Sequence, residues 1–246
     1  MATKKNSTPE PSRVASLERA LSILSVFESS EAPVTLAQIA QSTGLYKSTI
    51  LRLIASFEDH GYVQRSNDGA TYTVGPTAFR LGVTYKKFFE LDEAIEAALE
   101  DLVRNGTESA SFHVINRDHR ICVLRVDSNH PTLDRVETGS RLPLDRGAAG
   151  KILRAYSGMD TPEKLGIGAD GIAVSHGELD PSCAAISAPV FGLSNELIGA
   201  ISVSGPKERF TEETIATMSQ LVFEASRKLS SLAVGQKRMH AVSLRS

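Results

Sequence analysis

A cationic, hydroxyl-bearing set of residues lies within the stretch TLAQIAQSTGLYKSTILRLIASFEDHG, residues 35–61. At helical spacing Lys47, Ser48, Thr49 and Arg52 fall together, away from the apolar side of the same helix. Lysine and arginine bind phosphate oxygens, and arginine can also donate two hydrogen bonds to a guanine edge. The set therefore predicts contacts to double-stranded DNA, in which Arg52 either reads a base or only neutralises a phosphate.

Two helices joined by a turn at Gly44 are predicted to position this set. Thr35 and Gln38 have the spacing of a capping box at the start of the first helix, and Thr35 is also expected near a phosphate. The second helix buries the side that carries Ile50, Leu53, Ile54 and Phe57. Its cationic N-terminal end suits entry into the major groove.

The segment after Gly61, YVQRSNDGATYTVG, predicts a two-stranded hairpin that turns at Asn67-Asp68-Gly69. An amphipathic helix beginning near Ser16 precedes the helix pair, so the whole forms a winged helix-turn-helix. We expect Arg65, on the wing, to contact the DNA backbone. The alternative is a small α+β module with no nucleic-acid role, and the wing and the Lys47-Ser48-Thr49 run argue against it.

Composition and charge limit the class of protein. The 246 residues are 41% apolar, and no apolar run approaches the length needed to cross a bilayer. The N-terminus has two lysines but no apolar segment after them, which argues against a secretory signal. Residues 1–90 hold ten Lys and Arg against eight Asp and Glu, and the remainder holds seventeen against twenty-one. This asymmetry has the sign expected if only the N-terminal part touches phosphates. The missing signal segment and the two isolated cysteines make a cytoplasmic location the expectation.

The chain is predicted to be an α+β protein of two domains. Five β-type runs surround a helix at GAAGKILRAY, and a last helix begins at Thr211; the runs are SASFHVI, RICVLRV, TLDRVET, AAISAPVF and LIGAISVSG. This order predicts a central antiparallel sheet in the C-terminal domain. The predicted boundaries are a disordered arm at 1–14, the winged helix-turn-helix at 15–76, a linker helix at 77–91, the C-terminal domain at 92–234 and a frayed tail at 235–246.

Six motifs follow one another from about Ser16 to Leu232: SLERALSIL, LAQIAQSTGLYKSTILRLI, HGYV, GSRLPLDRGAAGKILRA, APVF and ISVSGPKERFT. In this order and spacing the chain resembles the IclR family of bacterial transcriptional regulators. The resemblance implies a GAF-like, effector-binding C-terminal domain behind the winged helix. It also implies dimers, often paired into tetramers, that bind palindromic promoter sites and respond to small metabolites.

The resemblance also points to an effector pocket formed by Gly147, Ala148, Ala149, Cys183, Ser202 and Ser204. Backbone N–H groups at a helix start attract a carboxylate, and serines two apart on a strand share a face and can donate hydrogen bonds. An organic or aromatic acid is therefore the expected ligand. The alternative is that these small residues only allow close helix–sheet packing, with Cys183 as a small buried apolar side chain.

Three departures from the family pattern bear on these sites. Tyr46 stands where many relatives have Pro at the helix entry, so it is expected to stack on the DNA or reach a phosphate. Asp145 stands where the family often has His, and no ligand role is carried over to it. The segment 157–173 is short compared with many relatives, so the cover of the pocket is expected to differ.

Two rival functions stay open. A GAF-like domain can be a cysteine-based methionine sulfoxide reductase, but those enzymes use several cysteines in one pocket and this chain has Cys122 and Cys183 alone. No metal-binding histidine pair, nucleophile elbow or phosphate loop occurs in the sequence, so we expect neither an enzyme nor a metal or other cofactor. A regulator without a small-molecule effector is the second alternative.

Overall fold

The computed structural model describes residues 14–88, 92–130, 134, 136–192 and 194–243. The chain divides into two compact units, Met1–Phe88 and Phe89–Ser246, and each unit has its own apolar core. Of the predicted disordered arm, only Val14 lies within the described part. Residues 89–91 of the predicted linker helix lie outside it as well.

The first unit is a helix-turn-helix with a wing, as predicted. Its elements are α1 (Ala15–Glu28), β1 (Val34–Thr35), α2 (Leu36–Thr43), α3 (Lys47–Asp59), β2 (Val63–Arg65), β3 (Thr71–Val74) and α4 (Pro76–Phe88). Ile50 and Ile54 of α3 are fully buried, so the predicted apolar side is the side that packs. The wing has one strand more than predicted, because the extended residue Val34 pairs with Tyr72 and gives the strand order β1-β3-β2.

The second unit is built on the predicted antiparallel sheet, which has six strands in the order β6-β5-β4-β9-β8-β7. Its elements are α5 (Asp92–Arg104), β4 (Ser109–Asn116), β5 (His119–Val126), β6 (Arg141–Pro143), α6 (Ala148–Tyr156), β7 (Ala173–His176), β8 (Cys183–Phe191), β9 (Leu197–Pro206) and α7 (Glu212–Ser243). Among the described helices of both units, none has the length and apolar character that a membrane span requires.

The alternation along β4 separates the two faces of this sheet. Ala110, Phe112 and Val114 join the core formed with α5 and α7. Ser111 and His113 point to the opposite face, which α6 covers. The polar face of the sheet is therefore the one that can hold a ligand.

The structure corrects two features predicted for the C-terminal part. In the run TLDRVET, the described residues 134 and 136–138 form no strand. A strand forms instead at Arg141–Pro143, because a turn at Gly139, with a φ of 93°, returns the chain alongside β5. The predicted tail is helical as far as Ser243. Good helix formers follow Gly235, and one glycine costs a helix only about 1 kcal/mol.

Candidate functional site

The turn between α2 and α3 sets the direction of the second helix. Gly44 ends α2 with a φ of 69°, a left-handed conformation that glycine adopts without strain. The capping box predicted at the start of α2 is confirmed. Gln38 N–H donates to Thr35 Oγ1 (3.2 Å), and Thr35 N–H donates to Gln38 Oε1 (2.7 Å). Thr35 Oγ1 therefore already holds the helix start, and only its second lone pair is left for another donor.

The residues predicted to contact DNA from α3 form one solvent-facing set. Lys47, Ser48 and Arg52 are exposed, and Thr49 is half-buried. Tyr46 is the N-cap residue of α3; its side chain makes no capping hydrogen bond and is 85% exposed. Within the described part of the chain, the charged ends of Lys47 and Arg52 have no partner. These side chains are therefore available to an external ligand.

Arg65, which was predicted to contact the DNA backbone from the wing, is partly engaged within the protein. Its Nε lies 3.5 Å from Glu58 Oε1, and its guanidinium lies 5.1 Å from the centre of the Tyr72 ring. The Arg65 side chain is still 44% exposed. Glu58 reduces the positive charge that this position presents, and the ring orients the guanidinium.

All six residues predicted for the effector pocket line one cavity of about 200 Å³ in the second unit. The cavity lies between the polar face of the sheet and the start of α6. Ten further residues line it: His113, Arg120, Asp134, Val136, Leu142, Ser175, Leu179, Asp180, Ala184 and Ala185. The register places Ser204 opposite Ala185 and Ser202 opposite Ser187, so both β9 serines face the same side of the sheet as Ala185 of the lining.

The two β9 serines differ from the prediction in their hydrogen bonding. Ser202 Oγ donates to the carbonyl of Ile186 (2.9 Å), and Ser204 Oγ donates to Asp134 Oδ2. Each hydroxyl proton is therefore already used inside the protein. The serines can present oxygen lone pairs to a ligand, but they are not the donors that the sequence predicted.

The start of α6 also differs from the prediction, because the protein fills part of its own anion site. Gly147 N–H donates to Glu178 Oε2 (3.0 Å), and Ala148 N–H donates to Ser175 Oγ (3.0 Å). The ammonium group of Lys151 pairs with the same Glu178 carboxylate. Ala149 N–H has no acceptor among the described residues, so one backbone donor is left for a ligand.

Arg120 brings a positive charge to the cavity. Arg120 as a whole residue is only 3% exposed to solvent. Its Nη1 donates to the carbonyls of Pro143 (2.6 Å) and Arg146 (2.7 Å). Burial lowers the pKa of Arg120 to about 10, so the guanidinium is still charged at neutral pH. Only glycine fits at position 150, because a Cβ there would lie 2.8 Å from Nη1 and 2.6 Å from the Leu144 carbonyl oxygen.

His113 is a neutral polar group in the same cavity. Its Nε2 lies 2.9 Å from Ser111 Oγ, and its buried Nδ1 has no hydrogen-bond partner. Burial lowers the pKa of His113 well below its usual range, and the charges of Arg120 and Arg125 lower it further. An unprotonated imidazole can offer one hydrogen bond to a ligand without adding charge.

Asp134 supplies the negative charge of the lining, and it is paired. Its Oδ1 lies 2.6 Å from Arg125 Nη2, and both side chains are about 5% exposed. Ser204 donates to its other oxygen. Asp134 therefore serves as the counterion of Arg125 and not of Arg120, and Asp180 is the other carboxylate of the lining.

The two cysteines lack the properties of reactive thiols. Burial raises the pKa of Cys122 to about 12 and also raises that of Cys183. A nucleophilic thiol needs a lowered pKa. Asp145, which departs from the family pattern, is exposed and hydrogen-bonded to Arg146, and it does not line the cavity.

Sequence reasoning missed the most polar part of the lining: His113, Arg120, Asp134 and Ser175. One signal was available for Arg120. It stands in the strand run RICVLRV, where alternate residues are apolar and buried, and an arginine in such a run needs a specific partner.

A winged helix-turn-helix with an exposed cationic helix, followed by a cavity-bearing domain, defines a DNA-binding transcriptional regulator. Family models match most of the chain. The IclR helix-turn-helix domain matches residues 16–67, and the bacterial transcriptional regulator IclR C-terminal domain matches residues 83–167 and 165–231. The chain therefore belongs to the IclR family.

Individual relatives agree with this assignment. The HTH-type transcriptional regulator BhcR of Paracoccus denitrificans is 28% identical over 242 residues, covering 88% of this chain and 86% of that protein. An IclR regulator from Alicyclobacillus acidocaldarius has a TM-score of 0.74 at 21% identity, covering 90% of this chain and 100% of that chain. An IclR homolog from Microbacterium hydrocarbonoxydans, complexed with 4-hydroxybenzoate, has a TM-score of 0.74 at 17% identity. The match covers 89% of this chain and 99% of that chain. At these identities the structural likeness shows the fold.

Proposed function

We propose that this regulator binds a palindromic operator as a homodimer or a pair of dimers. A small organic or aromatic acid, bound in the cavity of the second unit, changes its affinity for that operator. The observation that carries the proposal is the cavity itself, in which residues from α6, β8 and β9 line one space. A cytoplasmic location follows from the work of such a regulator.

The size and chemistry of the cavity support a small acid. An engineered cavity of about 150 Å³ in another protein holds benzene, so about 200 Å³ is room for one ring or a short aliphatic chain. The unpaired N–H of Ala149 and the charge of Arg120 both favour an anion. The complex of the Microbacterium homolog with 4-hydroxybenzoate is further support.

We assign the DNA contacts to the solvent-facing side chains of α3, to the residues that begin α2 and α3, and to the wing. Base and phosphate contacts in the major groove are assigned to Lys47, Ser48, Thr49 and Arg52. Backbone contacts are assigned to Tyr46, to Arg65 and to Thr35, whose hydroxyl would have to turn its proton from Gln38 Oε1 (2.8 Å) to a phosphate oxygen. The exposure of α3 supports the first assignment, whereas the Arg65–Glu58 contact makes the wing the weaker site.

The role of Arg52 is tested on operator DNA selected from a random-sequence pool. The affinity of Arg52→Ala is measured across salt concentrations and single-base operator variants. If Arg52 reads a guanine, the loss is about 1–3 kcal/mol and selectivity relaxes at one base pair. Uniform weakening with a salt slope shallower by about one would remove it from base readout. Arg104→Ala, which removes the same charge from an exposed position of α5, should leave DNA binding unchanged.

The effector is tested by thermal unfolding of the intact protein with a panel of organic and aromatic acids. A ligand that binds only the folded state raises its stability, by about 2.7 kcal/mol at a concentration one hundred times its Kd. No stabilisation by any acid in the panel would favour a regulator without such an effector.

Coupling between ligand and DNA is assigned to the predicted linker, residues 77–91, whose described part is helical as far as Phe88, because this segment joins the two units in the chain. A ligand changes DNA affinity only if it binds the DNA-competent and incompetent arrangements unequally. Light scattering of the free protein and of its operator complex tests the oligomer. A monomer bound to a single half-site would contradict the dimer.

A further inference from the structure

We propose that Arg120 binds the carboxylate of the effector and that the cavity selects monocarboxylates over dicarboxylates. This inference rests on the proposed function, because it concerns the ligand of the same cavity. It depends on four observations: the unused donors of Arg120, the backbone beside it, the neutral His113 and the negative charge of Asp134.

The hydrogen-bonding capacity of Arg120 is only partly used. Its Nη1 donates to two carbonyls, but its Nε is buried without a partner and its Nη2 makes no hydrogen bond among the described residues. Within the described part of the chain Arg120 makes no ion pair within 4 Å, and the exposed carboxylate of Asp145 acts on its charge from a longer distance. Arg125, buried to a similar degree, has Asp134 at 2.6 Å. A buried charge without a counterion in direct contact is costly, so an anionic ligand would complete the site.

The guanidinium of Arg120 lies where it can donate hydrogen bonds both to the protein backbone and to a ligand. Nη2 lies 3.1 Å from the position that a Cβ on Gly147 would take, so it is next to the start of α6. Ala149, with its unpaired N–H, lies on the same helix turn and lines the same cavity. The Nη1 bonds to Pro143 and Arg146 hold the loop before α6 and account for one nitrogen only. Arg120 Nη2 and the Ala149 N–H are therefore donors left for an anion at this helix start.

The neutral state of His113 strengthens the same argument. Its Nδ1 is buried, lies in a residue of the cavity lining and has no partner. Because the ring is uncharged, it can share a hydrogen bond with the ligand without competing with Arg120 for the negative charge. The positive charge at this end of the cavity is therefore that of Arg120.

Asp134 provides the selectivity. Its partner Ser204 lies opposite Ser109 at the beginning of β4, whereas Arg120 lies opposite Ile115 near the end of that strand. The carboxylate of Asp134 and the guanidinium of Arg120 thus enter the cavity from opposite ends of β4. Asp180 adds a second carboxylate to the lining. A ligand with one carboxylate satisfies Arg120, whereas a second carboxylate would lie near the oxygens of Asp134 and Asp180, which accept hydrogen bonds and cannot donate them.

The experiment measures binding of aliphatic and aromatic monocarboxylates to the intact protein by calorimetry and thermal unfolding. Each acid is paired with its neutral amide and with the dicarboxylate of the same length, for example 4-hydroxybutyrate with succinate and benzoate with benzamide. We expect the acid that binds best to exceed both its amide and its dicarboxylate by about ten-fold or more.

Three variants accompany these ligands. Arg120→Gln keeps a donor but loses the charge, and we expect it to weaken acid binding on the order of ten- to one-hundred-fold. Arg120→Lys keeps the charge and should retain more of the affinity. Arg141→Gln, an equal loss of charge at an exposed residue of β6, should bind acids as the unaltered protein does.

The outcomes separate this proposal from the proposed function. An amide or a dicarboxylate that binds as tightly as its monocarboxylate would overturn the role of Arg120 and leave an effector in place. If Arg120→Gln binds acids as tightly as the unaltered protein, the role of Arg120 would likewise be overturned and the effector proposal would stand. Absence of binding by every probe would overturn both proposals. If Arg120→Gln does not fold, the role of Arg120 is still tested by two measurements. One compares each acid with its amide and dicarboxylate on the unaltered protein, and the other is acid binding by Arg120→Lys.

Discussion

The exposed helix α3 and the cavity of the second unit both present positive charge, but in opposite physical states. Lys47 and Arg52 stand in water, where an unpaired charge is stable. Arg120 and Arg125 are more than nine-tenths buried, where an unpaired charge is costly. A charge on α3 can therefore serve binding alone, whereas a buried charge in the second unit, such as Arg120 in the cavity lining or Arg125 beside Asp134, also affects folding.

The largest expected effect is on the buried ion pair. Arg125→Met leaves the Asp134 carboxylate buried with Ser204 as its remaining partner, so we expect the free energy of unfolding to fall by about 3–5 kcal/mol. Urea unfolding measures the loss. The double variant Arg125→Met with Asp134→Leu should recover most of it, because no isolated charge is left. A loss below about 1 kcal/mol in the single variant would show that burial does not distinguish the cavity charges from those of α3.

A smaller effect on the free energy of unfolding is expected at Gly150, where the backbone of α6 packs against the guanidinium of Arg120. Gly150→Ala puts a Cβ 2.6 Å from the Leu144 carbonyl oxygen and 2.8 Å from Arg120 Nη1, and we expect a loss of about 1–3 kcal/mol. The matched control is Gly82→Ala in α4, where nothing lies within 4 Å of the added Cβ. That variant should gain about 0.5–1 kcal/mol from helix propensity. Equal effects of the two substitutions would contradict the close packing of α6 on Arg120.

The third effect depends on pH. The pKa of His113 lies well below its usual range in the folded protein, so the unfolded chain takes up a proton first as pH falls below about 6.5. The free energy of unfolding then decreases with falling pH, by up to about 1.4 kcal/mol per pH unit from this group. His113→Asn should make the stability–pH curve flatter between pH 5 and 7. A variant with the same slope as the unaltered protein would show that burial does not lower the pKa of His113.

The smallest effect on stability is expected at α3. Arg52→Ala removes an exposed side chain whose charge has no partner in the described part of the chain, so the free energy of unfolding should change by less than about 0.5 kcal/mol. Chemical denaturation checks this value. A larger loss would mean that Arg52 supports the fold, and its effect on DNA affinity would then need correction for unfolded protein.

The same contrast explains what could be predicted from sequence. The capping box of Thr35, the turn at Gly44 and the buried side with Ile50 and Ile54 depend on neighbours within a few residues, so spacing alone predicts them. The helix-turn-helix, the wing and the central antiparallel sheet follow from such local patterns.

The polar end of the cavity could not be read in that way. Arg120, His113 and Asp134 come from β5, β4 and the segment after β5, and only the strand pairing brings them together. A register shift between Phe112 and His113 places both Cys122 and Arg125 on the cavity side of β5. The protein itself also takes up the hydroxyl protons of Ser202 and Ser204 and the N–H groups of Gly147 and Ala148. These hydrogen bonds join residues distant in sequence, so local spacing does not predict them.

The most direct test is the affinity of the intact protein for its operator, with and without the monocarboxylate that stabilises it most. We predict a change of about five-fold or more at saturating ligand, and a change of the same factor in ligand affinity when operator is bound. Equal operator affinity in the two conditions, with the ligand demonstrably bound, would contradict regulation of DNA binding through this cavity.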